Sequence, residues 1–420
     1  MNNYTMELYE TKREILNFSK KMSNGLDKPT VKFVEDMQYG LSKSESCLIS
    51  KISRALNEKI KLIYTIERLC DNLNNLKDSE YIKIENNYLQ EVINYFGEEP
   101  IAIFDDSDIA KRYGRCFEDL DRVVDASSQN KEVVNGYHVC EAVILTEKEL
   151  QPVSVYSKVY SCQSKGFEST KTYTIESIKR VIKLLQRKSN MVFDRGYDDN
   201  KIIDFIDKSK NNFVIRMNDK RMFLFKGKKK NCLEEAKKRK GKVRMLLTFN
   251  DDEEVEINVS HTRVTLPYNK KDYELIFVYG LSEEQPMILL TNRRVHSKEE
   301  LIKVVRLYFY RWRVEEYFRA KKQEYDFENI RIRSLKGINN LNLMLTIHMG
   351  HLAIIGEKID TNLLTIKIIE RSKSLRSKTY VWLSQLARGI TAILVYARVG
   401  IERCKKIEQR CKYKQLSLKL

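Results

Sequence analysis

Two short apolar runs that each end in aspartate constrain the fold more than any other feature of this 420-residue sequence. The run at 101–104 is followed by Asp105 and Asp106, and the run at 191–193 is followed by Asp194. Uninterrupted apolar runs of this length are typical of buried strands. A carboxylate at the end of such a strand lies at a sheet edge, where a cation can reach it. An aspartate after a strand also commonly caps a helix or forms a turn, so neither run alone indicates a site.

The segments around these runs predict a mixed α/β sheet. Residues 212–217 are predicted to form a third buried strand, and the β-rich segments 137–145 and 152–161 suit antiparallel partners. Residues 174–188 and 198–209 predict helices between the strands. From residue 218 onward a Lys-rich stretch precedes segments of alternating hydrophobicity, which indicates a mostly β insertion with a basic rim.

Helical spacing of apolar residues dominates both ends of the chain, and the C-terminal end is also strongly basic. We therefore predict an α/β fold in five regions. These are a helical N-terminal region (1–95), the first part of the core (96–217), the β-rich insertion (218–292), the second part of the core with a long helix (293–337) and a basic helical C-terminal region (338–420).

The long helix is predicted over 297–325, and it carries an unusual polar stripe. A capping box, Ser297-x-x-Glu300, begins it. The stripe lies at offsets of 3, 7 and 14 residues and falls within an arc of about 60°; its members are Tyr308, Arg311, Glu315 and Lys322. A stripe of this kind is either a salt-bridge ladder on a solvated face, because Arg311 and Glu315 are an i, i+4 pair, or part of a site.

Divalent-metal chemistry explains why the two aspartates and the stripe belong together. Two divalent metals roughly 4 Å apart can activate a water and stabilise the leaving oxygen of a phosphodiester. Hard cations of this kind prefer carboxylate oxygens. Carboxylates from two neighbouring strand ends and one helix would supply them, while Arg311 and Lys322 bind phosphates and Tyr308 stacks on a base or hydrogen-bonds the backbone.

Charge and composition limit the partners and the compartment. Lys and Arg number 76 against 58 acids, a formal charge of +18, which favours a polyanionic partner; a Lys-rich solvated surface is the alternative. The eight cysteines have no paired spacing, so we expect reduced, mostly buried thiols and no zinc site. The histidines predict no metal cluster, and His348 and His351 are expected to pack among apolar residues. With no signal peptide and no membrane-spanning run, the chain is expected to stay inside the cell.

The stripe matches Y-x2-R-x3-E-x6-K, the signature of a family of bacterial insertion-sequence transposases with a ribonuclease-H-like catalytic core. The segments FDDSDI and VFDRGYD resemble the first and second aspartate motifs of that family. The resemblance covers residues 98–350 and implies a catalytic triad of Asp105, Asp194 and Glu315. Asp106 and Asp108 remain alternatives for the first aspartate.

By this resemblance the triad binds two Mg²⁺ ions, for which Mn²⁺ can substitute. The implied activity is cut-and-paste transposition: water attacks at the transposon end, and the freed 3′-hydroxyl attacks target DNA. The implied partners are double-stranded DNA and a second subunit, forming a homodimer that pairs the two ends. By the same resemblance, we expect this protein to lie in the bacterial cytoplasm and to associate with the nucleoid when it is bound to DNA.

The helical N-terminal region, the insertion rim and the basic C-terminus are the candidate DNA-binding surfaces. The individual candidate DNA contacts are Tyr308, Arg311, Lys322, Arg331, Arg333, Lys228, Lys230 and Lys238. Two alternatives remain open from the sequence: a domesticated DNA-binding protein that no longer cleaves, and a ribonuclease-H-like nuclease without strand transfer.

Overall fold

A computed structural model describes residues 3–125, 132–248, 254–282, 285–373, 383–397 and 400. Within these residues twelve strands join one sheet. The strands are β1 (Ile101–Ala110), β2 (Asp121–Val124), β3 (Val133–Leu145), β4 (Pro152–Tyr160), β5 (Asn190–Phe193), β6 (Asn212–Arg216), β7 (Met222–Phe225), β8 (Lys228–Asn231), β9 (Val243–Thr248), β10 (Glu254–Thr265), β11 (Asp272–Tyr279) and β12 (Met287–Thr291).

Thirteen α-helices lie in the same described part of the chain. They are α1 (Asn3–Met22), α2 (Lys28–Ser44), α3 (Ile49–Leu56), α4 (Leu62–Asn75), α5 (Asp78–Val92), α6 (Thr170–Leu185), α7 (Asn200–Lys208), α8 (Cys232–Lys237), α9 (Lys298–Phe309), α10 (Trp312–Arg319), α11 (Leu335–Gly356), α12 (Leu363–Arg371) and α13 (Leu383–Leu394).

The strand order of the core is β4-β3-β1-β5-β6. β4, β3 and β1 pair antiparallel, whereas β5 and β6 continue the sheet in parallel with β1. The apolar runs that predicted buried strands are β1, β5 and β6, and the stacked rings of Phe104 and Phe193, with centroids 4.6 Å apart, join the two central strands. Three antiparallel strands followed by two parallel ones form the ribonuclease-H-like arrangement, and the predicted fold class is confirmed.

The insertion continues this sheet. β12 pairs antiparallel with β6, and β11, β10, β7 and β8 follow in order, with β9 on β10. The Lys-rich strand β8 lies at the far edge, where its side chains meet solvent. Because strands need lateral backbone partners, the insertion adopts its β structure on the exposed edge of the core.

Helices cover both faces of the core. The Cys140 thiol of β3 hydrogen-bonds Ser177 of α6 on one face. The next residue, Glu141, contacts Lys321 just after α10, which lies on the other face, as the alternation of strand side chains requires. α11 runs along β4 and is buried over almost its whole length.

The two terminal helical regions pack on each other. α11 contacts α2, α4 and α5, while α13 contacts α1, α2 and α11. His348 and His351 of α11 are fully buried in this packing, as expected, and burial lowers the pKa of His348 to about 3. The basic end of the chain, residues 401–420, lies outside the described residues.

Candidate active site

Asp105 lies at the point where β1 loses its parallel neighbour. β5 pairs with β1 only as far as Phe104, but β1 continues beside β3 to Ala110. The strand therefore does not end at the aspartates, as the apolar run suggested, because β3 supplies partners further along. Burial raises the pKa of Asp105 to about 7; the negative charge of Asp194 adds to the rise, and Arg311 opposes it.

Asp106 faces away from Asp105 along the strand. It lies opposite Cys140 in the β1–β3 register and accepts a hydrogen bond from the thiol of that cysteine. Its carboxylate is thus directed to the α6 face of the sheet, whereas Asp105 contacts Arg311 beside α10. This arrangement supports Asp105 over Asp106 as the first acid of the site.

Asp194 follows the last residue of β5 directly. The phenol of Tyr308 donates a hydrogen bond of 3.0 Å to its Oδ1, and a guanidinium nitrogen of Arg216 lies 3.9 Å from the same oxygen. Burial raises the pKa of Asp194, but Arg311 and hydrogen bonds from the Arg195 backbone and Tyr308 outweigh it and hold the pKa below its ordinary value. Asp194 is therefore an ionised carboxylate with a fixed orientation.

Arg311 joins the first and third predicted acids. Its Nη1 lies 2.9 Å from Oδ2 of Asp105, and its Nη2 lies 2.5 Å from Oε1 of Glu315. The side chains of Arg311 and Asp105 are each 18% exposed, and that of Glu315 is 57% exposed. The Arg311–Glu315 ion pair expected of a salt-bridge ladder is present. The same guanidinium also pairs with Asp105 of β1, so Arg311 faces the sheet and not only solvent.

The predicted single helix over 297–325 is wrong in its middle. Ser297 caps α9 as expected by accepting the backbone N–H of Glu300, but the helix breaks between Phe309 and Trp312. The backbone N–H groups of Arg311 and Arg313 donate to carbonyls three residues back, which tightens the chain locally. The stripe is therefore divided between α9, this turn, α10 and the residues that follow α10.

Lys322 follows α10 in a π-helical turn, Ala320–Glu324. Its Nζ lies 3.2 Å from a carboxylate oxygen of Asp108 and 3.2 Å from one of Glu328. π turns recur at functional positions in proteins. Lys322 and Asp108 thus form a second charged contact between β1 and the helical segment, separate from the Arg311 contacts.

The side chains of the three acids are of the chemical type that binds a divalent cation. Asp105, Asp194 and Glu315 come from β1, the end of β5 and α10, and they are the hard oxygen ligands that Mg²⁺ prefers. In this structure the positive charge beside Asp105 and Glu315 is the Arg311 guanidinium. The raised pKa of Asp105 reflects buried negative charge that this cation only partly compensates.

The remaining predicted DNA contacts lie outside this cluster. Arg331 and Arg333 are exposed in the segment before α11, and Lys228 is exposed on β8. Lys230 and Lys238 lie 2.8 Å and 3.8 Å from Glu235 of α8. These cations are accessible, but the structure does not bring them to the carboxylates.

Two polar clusters have no counterpart in the sequence predictions. The first is the buried pair of Glu141 and Lys321, which joins β3 to the π-helical turn. The second groups Asp121, His138 and Cys162, whose ligand atoms lie within 4.8 Å of one another. The cysteines were expected to be mostly buried. Cys47, Cys140 and Cys232 are buried, Cys70 and Cys162 are partly buried and Cys116 is exposed, while residues 404 and 411 lie outside the described residues.

A ribonuclease-H-like sheet with three carboxylates beside its central strands is the arrangement expected of a metal-dependent enzyme of phosphodiester chemistry. A sequence profile of the family described as Transposase DDE domain matches residues 101–349, more than half of the chain, and the chain belongs to this family. The narrower grouping with bacterial insertion-sequence transposases that carry the Tyr-Arg-Glu-Lys signature stays a prediction.

Comparison with solved structures gives distant likenesses. The chain is similar to a piggyBac transposase synaptic complex with hairpin DNA, at 9% identity and a TM-score of 0.47 over 97% of this chain and 84% of that one. It is also similar to the NurA nuclease from Sulfolobus solfataricus, at 9% identity and a TM-score of 0.26 over 59% of this chain and 85% of that one. No curated protein matches the sequence significantly. Among the described helices, none has the length and apolar character to cross a membrane.

Proposed function

We propose that this protein is a cut-and-paste DNA transposase that uses Asp105, Asp194 and Glu315 to bind two Mg²⁺ ions. One observation carries the proposal: the guanidinium of Arg311 pairs with both Asp105 and Glu315, and Tyr308, three residues before Arg311, donates a hydrogen bond to Asp194. Family membership supports transposition as the reaction in which these acids act.

The bound ions would supply an activated water and charge stabilisation at the scissile phosphate. Two residues of the chain orient the proposed metal ligands. Tyr308 fixes the orientation of Asp194 through its hydrogen bond, and Arg311 holds Asp105 and Glu315 together. Asp105, Asp194 and Glu315 would hold the ions, and the forked guanidinium of Arg311 beside them is suited to pairing with a DNA phosphate. No covalent protein intermediate is required.

Double-stranded DNA is the proposed partner, and a homodimer would pair the two transposon ends. A net charge of +18 and the accessible cations of β8 and of the segment before α11 support binding to a polyanion. We place Tyr308, Arg311 and Lys322 at the cleavage site, whereas Lys228, Arg331 and Arg333 would contact the backbone further away.

The proposal is tested by incubating the purified chain with Mg²⁺ and a DNA carrying the ends that flank its own gene. Excision of the segment and joining of its 3′ ends to target DNA are expected, and neither should occur with scrambled ends or with EDTA. Cleavage without joining would instead indicate a nuclease. Binding without cleavage in both Mg²⁺ and Mn²⁺ would indicate a DNA-binding protein that has lost activity.

We expect Arg311→Gln to destabilise the protein in EDTA by about 1–3 kcal/mol, because Asp105 and Glu315 lose their shared cation in a partly buried place. Added Mg²⁺ or Mn²⁺ should restore more stability to the variant than to the wild-type protein. Thermal denaturation with and without metal measures both effects. The control is Arg319→Gln, which removes the exposed pair with Glu316 on the same helix. Equal metal responses in the two variants would contradict the proposed place of the ions.

Lys228→Gln should weaken DNA binding more than Lys230→Gln, because Lys228 is exposed while Lys230 already lies 2.8 Å from Glu235. For a phosphate contact, the slope of log affinity against log salt should fall by about 1. Fluorescence anisotropy over a range of salt concentrations measures this slope. An unchanged slope for Lys228→Gln would exclude β8 from the DNA-binding surface.

A further inference from the structure

Asp121, His138 and Cys162 form a side-chain cluster away from the three proposed catalytic acids. They lie on β2, on β3 and just after β4, and Oδ2 of Asp121 is 3.5 Å from Nε2 of His138. One ligand atom from each residue lies within 4.8 Å of the other two. Glu141 of β3 pairs in register with Asp105 of β1. His138 lies three positions before Glu141, so its side chain is on the opposite face of the sheet.

The backbone fixes the carboxylate of this cluster. Oδ1 of Asp121 accepts the N–H of Arg122, and Oδ2 accepts the N–H of Cys162, both at 2.7 Å. The amide of Gln163 lies 3.4 Å from Oδ1. The Cys162 thiol also hydrogen-bonds the Asp121 carboxylate. The oxygen and sulfur ligands are therefore held beside each other by the chain itself.

An aromatic cluster borders the histidine. The His138 ring stacks on Tyr160 with centroids 5.3 Å apart, and Tyr160 stacks on Tyr173 at 4.2 Å and on Phe167 at 6.3 Å. This stacking limits rotation of the imidazole. The side chain of His138 is nevertheless 29% exposed, and Cys162 is only partly buried. An ion from solvent can therefore reach both residues, while the rings limit solvent access on one side of the cluster.

We propose that Asp121, His138 and Cys162 bind a transition-metal ion, with Zn²⁺ as the best match. One oxygen, one nitrogen and one sulfur donor form a ligand set that Zn²⁺ accepts in tetrahedral geometry. Mg²⁺, which prefers oxygen ligands, would not select it. The separation of 3.5 Å between Asp121 and His138 is close to the edge of such a tetrahedron, roughly 3.3 Å for ligands about 2.0 Å from the metal. A water would complete the coordination.

The ion would link three segments of the chain. It would connect β2, an edge strand of only four residues, to β3 and to the loop that leads into α6. Cys162 would lose its thiol proton to bind the metal, because the thiolate is the form that binds metals. This site is independent of the proposed transposition chemistry, and its test needs no DNA.

The test is a Co²⁺ and Zn²⁺ titration of the full chain carrying Asp194→Asn, which weakens the proposed catalytic site. Co²⁺ should produce a thiolate-to-cobalt absorption band, and one equivalent of Zn²⁺ should abolish it. Cys162→Ser should remove the band and weaken Zn²⁺ binding at least about 100-fold. Cys116→Ser, which changes an exposed cysteine, should change neither.

His138→Gln provides a second variant in case Cys162→Ser disturbs the loop, and circular dichroism of each metal-free variant checks that it is folded. His138→Gln should keep the cobalt–thiolate band at higher metal concentration but weaken Zn²⁺ binding. The proposal is overturned if the folded protein binds no Zn²⁺ at micromolar concentration, or if Cys162→Ser and Cys116→Ser bind it equally well.

Discussion

Glu315→Gln is expected to lower the rate of DNA-end cleavage at least about 1000-fold, because a metal–carboxylate contact at the reacting phosphate is worth several kcal/mol in the transition state. The affinity for the DNA ends should stay within about fivefold of the wild-type value, since the residue is 57% exposed and its pair with Arg311 adds little to stability. Single-turnover cleavage in Mg²⁺ measures the rate, and an electrophoretic mobility shift measures the affinity.

The neighbouring residue provides a matched control. Glu316→Gln removes a charge from the same helix. Glu316 pairs with Arg319, and among the described residues it forms no ion pair with a residue that contacts Asp105, Asp194 or Glu315. Its cleavage rate should remain close to that of the wild-type protein. If Glu315→Gln cleaves at the wild-type rate, or if both variants lose activity equally, then Glu315 is not the third metal ligand.

The central strands were the most predictable part of this fold. The segments 101–104, 191–193 and 213–215 are apolar throughout because both of their faces are covered, so their sequences reflect burial directly. The adjacent aspartates break this pattern at the position where the parallel strand ends. The apolar run and the aspartate that follows it are adjacent in the sequence. For this reason β1 and β5 could be predicted together with Asp105 and Asp194.

The break between α9 and α10 could not be predicted in the same way. Residues 308–316 contain no proline or glycine, and their helix propensity continues through the break. The tightened turn at Arg311 occurs where its guanidinium reaches Asp105, 206 positions away in the sequence. A long-range contact of this kind leaves no mark on local periodicity.

The same limit applies to the Asp121, His138 and Cys162 cluster. Its members are 17 and 24 positions apart, without the close spacing that identifies a zinc motif. They meet only because β3 pairs with both β2 and β4. The spacing of the cysteines predicted no metal site because strand register, and not distance along the sequence, places Asp121 and His138 beside Cys162.

We expect Lys321→Met to destabilise the protein by about 3–5 kcal/mol, because it leaves the Glu141 carboxylate buried without its cation. Nζ of Lys321 lies 3.1 Å from Oε2 of Glu141, and the two side chains are 3% and 0% exposed. The hydroxyls of Ser154 and Ser157 also donate to Glu141. This network holds the π-helical turn after α10 against β3. Urea-induced unfolding followed by circular dichroism measures the loss.

Two further variants separate the buried charge from other causes. Lys303→Met removes a pair with Glu99 in which the side chains are 53% and 63% exposed, and it should cost less than about 1 kcal/mol. Adding Glu141→Gln to Lys321→Met should recover part of the stability, because the amide is uncharged and its carbonyl oxygen can still accept one of the two serine hydroxyls. If Lys321→Met costs no more than Lys303→Met, the pair does not hold α10 on the sheet, and the position of Glu315 must depend on other contacts, such as those of Arg311 with Asp105 and Lys322 with Asp108.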